Sequence, residues 1–247
     1  MTSTLTLAAI RFTDDIPAMR RFLETVGLTA TTSWGDGMDV LRAGAGEVWL
    51  HSAATSDLGA PVGCTQLTGL TSDPDDLHRA LGAAGFQPTI VDETYGRVVE
   101  VVDPLGDRLL FNGPGDGYGS STQPGTPDHR IQVSLCRFTD PQGPYVAFAA
   151  ALGLRPDGEP NEWYVPYSAG AGVLGLHHGD DSMAMPGREL GGSIALGLTT
   201  SGSLEELQRQ LTDSGYAPGE IVMEDHDTRL ETVDPDGQRL EIRSAPV

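Results

Sequence analysis

The feature that most restricts the fold is that the chain repeats itself. IRFTDD at 10–15 returns as CRFTDP at 136–141, an offset of 126 residues. The same offset carries Val26-Gly27-Leu28 onto Leu152-Gly153-Leu154 and Trp49-Leu50-His51 onto Gly175-Leu176-His177. A later pair, DPLGDRLL at 103–110 and DPDGQRLE at 234–241, is offset by 131, which predicts an insertion in the second copy within 179–190. Fixed-offset similarity of this kind marks homologous units. Between them GPGDGYGSSTQPGTPDH, 113–129, has a linker's composition and no apolar period. The expected organisation is therefore a unit at 1–113, a linker at 114–129 and a second unit at 130–247.

Each unit divides again. Residues 4–13 alternate like a strand, and Ile16, Met19, Leu23 and Val26 then recur at helical spacing up to Gly27. Strands are predicted near 38–43 and 46–52. The second quarter restarts with CTQLTGL, passes through the helix DPDDLHRALGAAGF and ends in strands near 88–92, 97–102 and 107–112. Quarters three and four follow the same order, with helices PYVAFAAALGL and SLEELQRQLTDSGY. The unit is β-α-β-β-(β) four times over, with one strand of quarters one and three not placed by the pattern. In Asp234-Pro235-Asp236-Gly237, Pro presets the first turn position and Gly takes the left-handed one, predicting a tight hairpin there and at 103–106. On the returning strand Leu240 and Ile242 share one face, and Arg239, Glu241 and Arg243 share the other.

Composition narrows the chemistry. A formal charge of −20 with no basic cluster argues against nucleic acid and anionic membrane as partners. All 15 basic residues are Arg, so Schiff-base chemistry and lysine general bases are excluded. Cys64 and Cys136 sit in apolar strand-like runs, as small buried hydrophobes do. The N-terminus has no basic-then-apolar signal pattern, so a cytoplasmic location is expected. GPGDGYG at 113–119 is not followed by a helix and cannot seat a pyrophosphate.

Tandem β-α-β-β-β modules, RFTD before a helix ending in VGL or LGL, and a closing DP-x-G-x-R-L hairpin together resemble the vicinal oxygen chelate superfamily, the glyoxalase, bleomycin-resistance and extradiol-dioxygenase group. The resemblance implies an α+β fold of four βαβββ-type modules forming two glyoxalase-like domains, with curved, mainly antiparallel sheets and helices on the outer face. It also implies that metal-binding members draw ligands from the first and last strands of modules. Those positions map here to Leu7, Leu50, Leu110 and near Gln66 in the first unit. In the second they map to Val133, Leu176, near Leu196, and Glu241. A divalent metal wants at least three protein donors, so no metal site and no cofactor are expected.

Glu241 keeps three readings: a lone ligand, a general base or polar anchor in a cavity, or a carboxylate paired with Arg239 or Arg243 on a strand face. His178 shares its face in this register and His177 does not, making His178–Glu241 a candidate proton-transfer pair. Trp34, Tyr95, Leu110, Trp163, Tyr167, His226 and Arg239 are the candidate ligand-binding residues. His51 and His78 are expected to be structural. The expectation from these residues is a metal-independent protein, monomer or homodimer, that binds a small apolar or aromatic organic molecule for sequestration or resistance. The alternative is a lyase, isomerase or cyclase acting on a natural product through Glu241, with a metal-dependent dioxygenase or glyoxalase behind it.

Overall fold

The computed structural model describes residues 5–56, 59–115, 119–158, 160–179, 194–224 and 227–245. The insertion expected within 179–190 lies almost wholly outside them. The first half runs β1 (Leu5–Thr13), α1 (Ile16–Thr25), β2 (Thr29–Ser33), β3 (Met38–Arg42), β4 (Glu47–Ser52), β5 (Thr65–Thr71), α2 (Pro74–Ala83), β6 (Thr89–Glu93), β7 (Gly96–Val102) and β8 (Arg108–Asn112). The second runs β10 (Ile131–Phe138), α3 (Tyr145–Ala151), β11 (Arg155–Pro156), β12 (Tyr164–Ser168), β13 (Val173–His177), β14 (Ile194–Thr200), α4 (Leu204–Asp213), β15 (Glu220–Glu224), β16 (Asp227–Val233) and β17 (Arg239–Ser244). The strands the sequence pattern did not place are β2 and β11. A short β9 (Ser121–Thr122) within the expected linker pairs with β2.

Each half builds one curved sheet, in the orders β6-β7-β8-β5-β1-β4-β3-β2-β9 and β11-β12-β13-β10-β14-β17-β16-β15. The two modules of a half meet through their antiparallel first strands, β1 with β5 and β10 with β14. Helices start where the sequence supplies caps. Asp15 accepts from the Ala18 amide, Asp73 from that of Asp76 and Ser203 from that of Glu206, each satisfying an amide with no intrahelical partner. The hairpins form as the sequence predicts, with Gly106 and Gly237 at positive φ of 92° and 77°. Asp103 and Asp234 each accept two turn amides.

One apolar core extends from Leu5 to Ile242 and takes residues from both halves. The helices cover one face of each sheet and meet in pairs across the halves. Phe22 of α1 stacks edge-on against Tyr216 after α4, and Phe86 after α2 against Phe148 of α3.

The repeated motifs join the halves reciprocally. Arg11, from the first RFTD, is buried against Asp234 of the second DP-x-G turn. Arg137, from the second RFTD, is buried against Asp103 of the first turn at 2.6 Å and also meets Asp107. A third repeat does the same: Ala43-Gly44-Ala45-Gly46 recurs as Ala169-Gly170-Ala171-Gly172. Leu7 donates to the Ala171 carbonyl at 2.9 Å, and Val133 donates to that of Ala45 at 2.8 Å. A Cβ on Gly46, at φ +84°, would lie 2.8 Å from the Val133 Cβ, so only glycine lets the strands approach this closely.

Candidate functional site on the second sheet

The buried arginines reverse the expected register of the first strands. Leu5, Leu7, Ala9 and Arg11 point toward the helices and the seam between halves, while Ala8, Ile10 and Phe12 belong to clusters on the other, concave face. In the second half Ile131, Val133, Leu135 and Arg137 are buried on the helix side, leaving Gln132, Ser134, Cys136 and Phe138 on the concave one. Leu50, Leu176 and Leu196 likewise lie in the helix-side core. These leucines and Val133 are therefore not cavity residues, contrary to expectation. The concave row through Glu241 is Val173, Ser134, Gly197 and Glu241. The matching row in the first half is Glu47, Ala8, Thr68 and Leu110.

The two concave faces differ in kind. In the first half Val40, Trp49, Trp34, Met38, Ile10 and Leu70 pack together over Ala8. The carboxylate of Glu47 is used up locally, accepting from Trp49 Nε1 at 2.8 Å and Arg42 Nε at 3.0 Å. Trp34 is thus part of this packed cluster, and Leu110 is a half-buried concave residue beside Thr68.

The second concave face is polar. Arg229, Asp227, Arg243, Glu241, Arg239 and Glu231 form a closed ring of alternating charge. Representative edges are Arg229–Asp227 at 2.8 Å and Arg239–Glu241 at 2.7 Å. Glu224 adds a further carboxylate to Arg229 at 2.9 Å and holds that guanidinium's pKa well above its usual value. The ring arises because β16 and β17 place charged residues at alternate positions on this face, Asp227, Arg229 and Glu231 on one and Arg239, Glu241 and Arg243 on the other. Charged groups that orient one another in this way are held in fixed geometry.

Opposite the ring stands Tyr164. Its ring lies across Gly175, where a Cβ would come within 2.3 Å of the tyrosine Cε2, so the glycine is what admits it. Burial, then the neighbouring Cys136, pushes the Tyr164 phenol up to about 12, and Arg243 and Asp227 also act on it. The Cys136 thiol is pushed up to about 12 by burial, with Arg243 and Glu241 pulling it in opposite directions. Tyr164 and Cys136 therefore both keep their protons at neutral pH. One face thus gathers a protonated phenol, a fixed guanidinium and a carboxylate over a floor of Ser134 and Gly197.

The candidates read from sequence are only partly brought together. Glu241 and Arg239 are in the ring. Tyr167 is 3 % exposed in the helix-side core and is not a cavity residue, because β12 turns Val165 and Tyr167 inward and Tyr164 outward. His177, and not His178, is on the concave side, packed against Phe138 and Tyr164. His178 follows the strand, is exposed, and stacks edge-on with exposed Trp163 at 5.1 Å, so no His178–Glu241 pair forms. Tyr95 is exposed in the β6–β7 turn, its phenol raised by burial and then by Glu93. His226 lies outside the described residues. Arg229, Asp227 and Cys136 were missed as site residues, Arg243 was read only as an ion-pair partner of Glu241, and Tyr164 only as one aromatic among several. Their alternation with Leu240, Ile242, Val165 and Leu135 was the available signal.

The metal chemistry that the sequence resemblance implies can be tested against these residues. The concave row offers Glu241 beside Ser134 and Gly197, and both oxygens of Glu241 are engaged by arginines. Among the described residues no three His, Cys, Asp or Glu side chains stand together as a metal set. The residues present do not fit a metal bound in the family manner.

No family model matches the sequence, and no curated protein matches it. The fold is the vicinal oxygen chelate fold, shared with solved extradiol dioxygenases. Homoprotocatechuate 2,3-dioxygenase from Brevibacterium fuscum, as a variant in complex with HPCA, is 14% identical with a TM-score of 0.62, covering 100% of this chain and 72% of that one. An extradiol ring-cleaving dioxygenase from the same organism gives 14%, 0.61 and the same coverage. Homoprotocatechuate 2,3-dioxygenase from Arthrobacter globiformis gives 15% and 0.61, over 99% of this chain and 80% of that one. At such identities the likeness carries the fold. It also corrects the expectation of a metal-independent sequestering protein: these neighbours are ring-cleaving dioxygenases, and of the readings made from sequence the metal-dependent dioxygenase, placed last there, fits them better. No helix among the described residues is long and apolar enough to cross a membrane.

Proposed function

We propose that the chain is an enzyme whose active face is the concave side of the second sheet. It would act on a small cyclic organic substrate by proton transfer, as a lyase, isomerase or cyclase does. The observation that carries this reading is that Tyr164 shares that face with the Arg243–Glu241 pair and is close enough for Arg243 to act on its phenol, while the matching face of the first half is packed with its own tryptophans. In the proposed chemistry Glu241 takes the proton. Its carboxylate has about four lone-pair sites, and Arg239 and Arg243 occupy two of them. Tyr164, protonated at neutral pH, donates to the oxygen on which charge develops, and Arg243 stabilises that charge. The ring holds Glu241 and Arg243 in place before substrate arrives, so little reorganisation accompanies the step. The first unit, 1–113, is a scaffold in this reading, joined through 114–129 to the working unit, 130–247.

The test is a product screen by liquid chromatography and mass spectrometry, with small phenols, enols and lactones incubated with the whole protein. A product isomeric with its substrate, or formed by elimination, is expected, and Glu241→Gln and Tyr164→Phe should each lose it by at least about 100-fold while still binding the compound. Oxygen-consuming ring cleavage that appears only on adding ferrous or manganous ion would overturn the proton-transfer reading. Full activity in Glu241→Gln would do so equally.

A further inference from the structure

We propose that the two ion clusters joining the halves are proton-dependent latches, each closing with a proton held on a buried aspartate, so that the halves grip more firmly in mild acid and loosen as pH rises. Each latch sets one buried guanidinium against two carboxylates. Arg11 faces Asp234 and, at 3.7 Å, Asp236, whose side chains are 6 % and 1 % exposed. Arg137 faces Asp103, fully buried, and Asp107. Fully ionised, each cluster carries one uncompensated negative charge in a place almost sealed from water, which is costly. A proton on the buried Asp103 or Asp234 removes that charge.

Beyond the two turn amides that Asp103 and Asp234 each accept, the surroundings supply little to offset it. Asp236 Oδ1 accepts from the Thr13 hydroxyl at 2.8 Å, but its Oδ2 makes no hydrogen bond, and neither does the Arg11 Nε that faces it. Asp14, at the start of α1, is a further negative charge acting on Asp236, and Asp234 acts on it from its own turn. Asp234 accepts the amides of Asp236 and Gln238. At the other latch the Arg137 guanidinium lies 5.3 Å from the ring centroid of buried Tyr145, whose phenol is uncharged at neutral pH. Burial accordingly raises Asp103, Asp234 and Asp236 above the usual carboxylate range, against the pull of the arginines.

The sign follows from the direction. Groups whose folded pKa is raised hold more protons when folded, so their contribution is fully present below about pH 4 and is lost as pH rises through the raised values. Carboxylates held low by surface arginines, such as Glu100 and Asp128, act the other way, at pH below the ordinary range. As pH rises above about 4 the latches should therefore lower the stability.

The experiment is thermal unfolding of the whole protein between pH 5 and 8.5, comparing wild type with Asp236→Asn. In that variant Asn Oδ1 keeps the Thr13 bond and the amide replaces an oxygen that faces Arg11 Nε at 3.7 Å without a hydrogen bond. Wild type should melt higher at pH 5.5 than at pH 8. Asp236→Asn should raise the pH 8 midpoint by about 2–4 °C and flatten the dependence. A variant that melts below wild type at pH 8 with an unchanged slope overturns the proposal. Carboxyl carbon NMR of wild type reads the same groups without substitution: midpoints for Asp234 and Asp236 above the ordinary range support the latch, and midpoints at or below it overturn it.

Discussion

Replacing Arg137 by Met keeps the length and apolar stem of the side chain and removes one charge from the seam between the halves. Arg137 is 1 % exposed and Asp103 is 4 % exposed, so water cannot take over the lost interaction. Asp103 and Asp107 are left facing each other without a cation. Breaking a buried pair from one side costs about 3–5 kcal/mol. For a chain of this size each kcal/mol moves the midpoint by about 2–4 °C, so a fall of about 6–20 °C is expected. Scanning calorimetry or urea unfolding at pH 7.5 reads it directly. The double variant Arg137→Met, Asp103→Asn should be less destabilised than the single one, because the more deeply buried of the two orphaned charges has gone. A fall of under about 2 °C in the single variant, or a double variant worse than the single, would refute the reasoning.

Gly46→Ala should cost about 2–4 kcal/mol, since φ +84° disfavours any Cβ and this one would stand 2.8 Å from Val133; urea unfolding checks it, and a neutral result contradicts the close approach of the halves. The Cys136 thiol, pushed up to about 12 by burial, should not react with a disulfide reagent at pH 8 in the native protein, while both cysteines report after denaturation. Rapid native reaction at Cys136 would show that the face is open to its floor.

The tandem modules, the four helices and both DP-x-G hairpins were legible because their signals are local: apolar period, caps and turn residues. The facing of the first strands was not. In IRFTDD and CRFTDP the arginine reads as the solvent or cavity position between apolar neighbours, yet Arg11 and Arg137 are buried because their partners lie 223 and 34 residues away. Leu7 and Val133, put in the cavities by the ligand positions that the resemblance implies, share the arginines' face and lie in the helix-side core. On β13 the same reversal exchanged the parts of His177 and His178. Glu241 was found because a turn fixes its face, whereas Tyr164 depends on Gly175, a neighbour supplied by the antiparallel β13 strand. The repeated phrases carry the reciprocal seam, and the departures from repetition, Glu241 against Leu110 above all, mark the face proposed to act.

The most direct measurement is turnover of one screened substrate by Glu241→Gln and by Ile10→Val, a change on the first concave face, each confirmed as folded by its melting curve. The account predicts that Glu241→Gln loses turnover by at least about 100-fold and that Ile10→Val keeps it. Retained turnover in the first variant, with loss in the second, would place the chemistry on the other sheet and contradict the account.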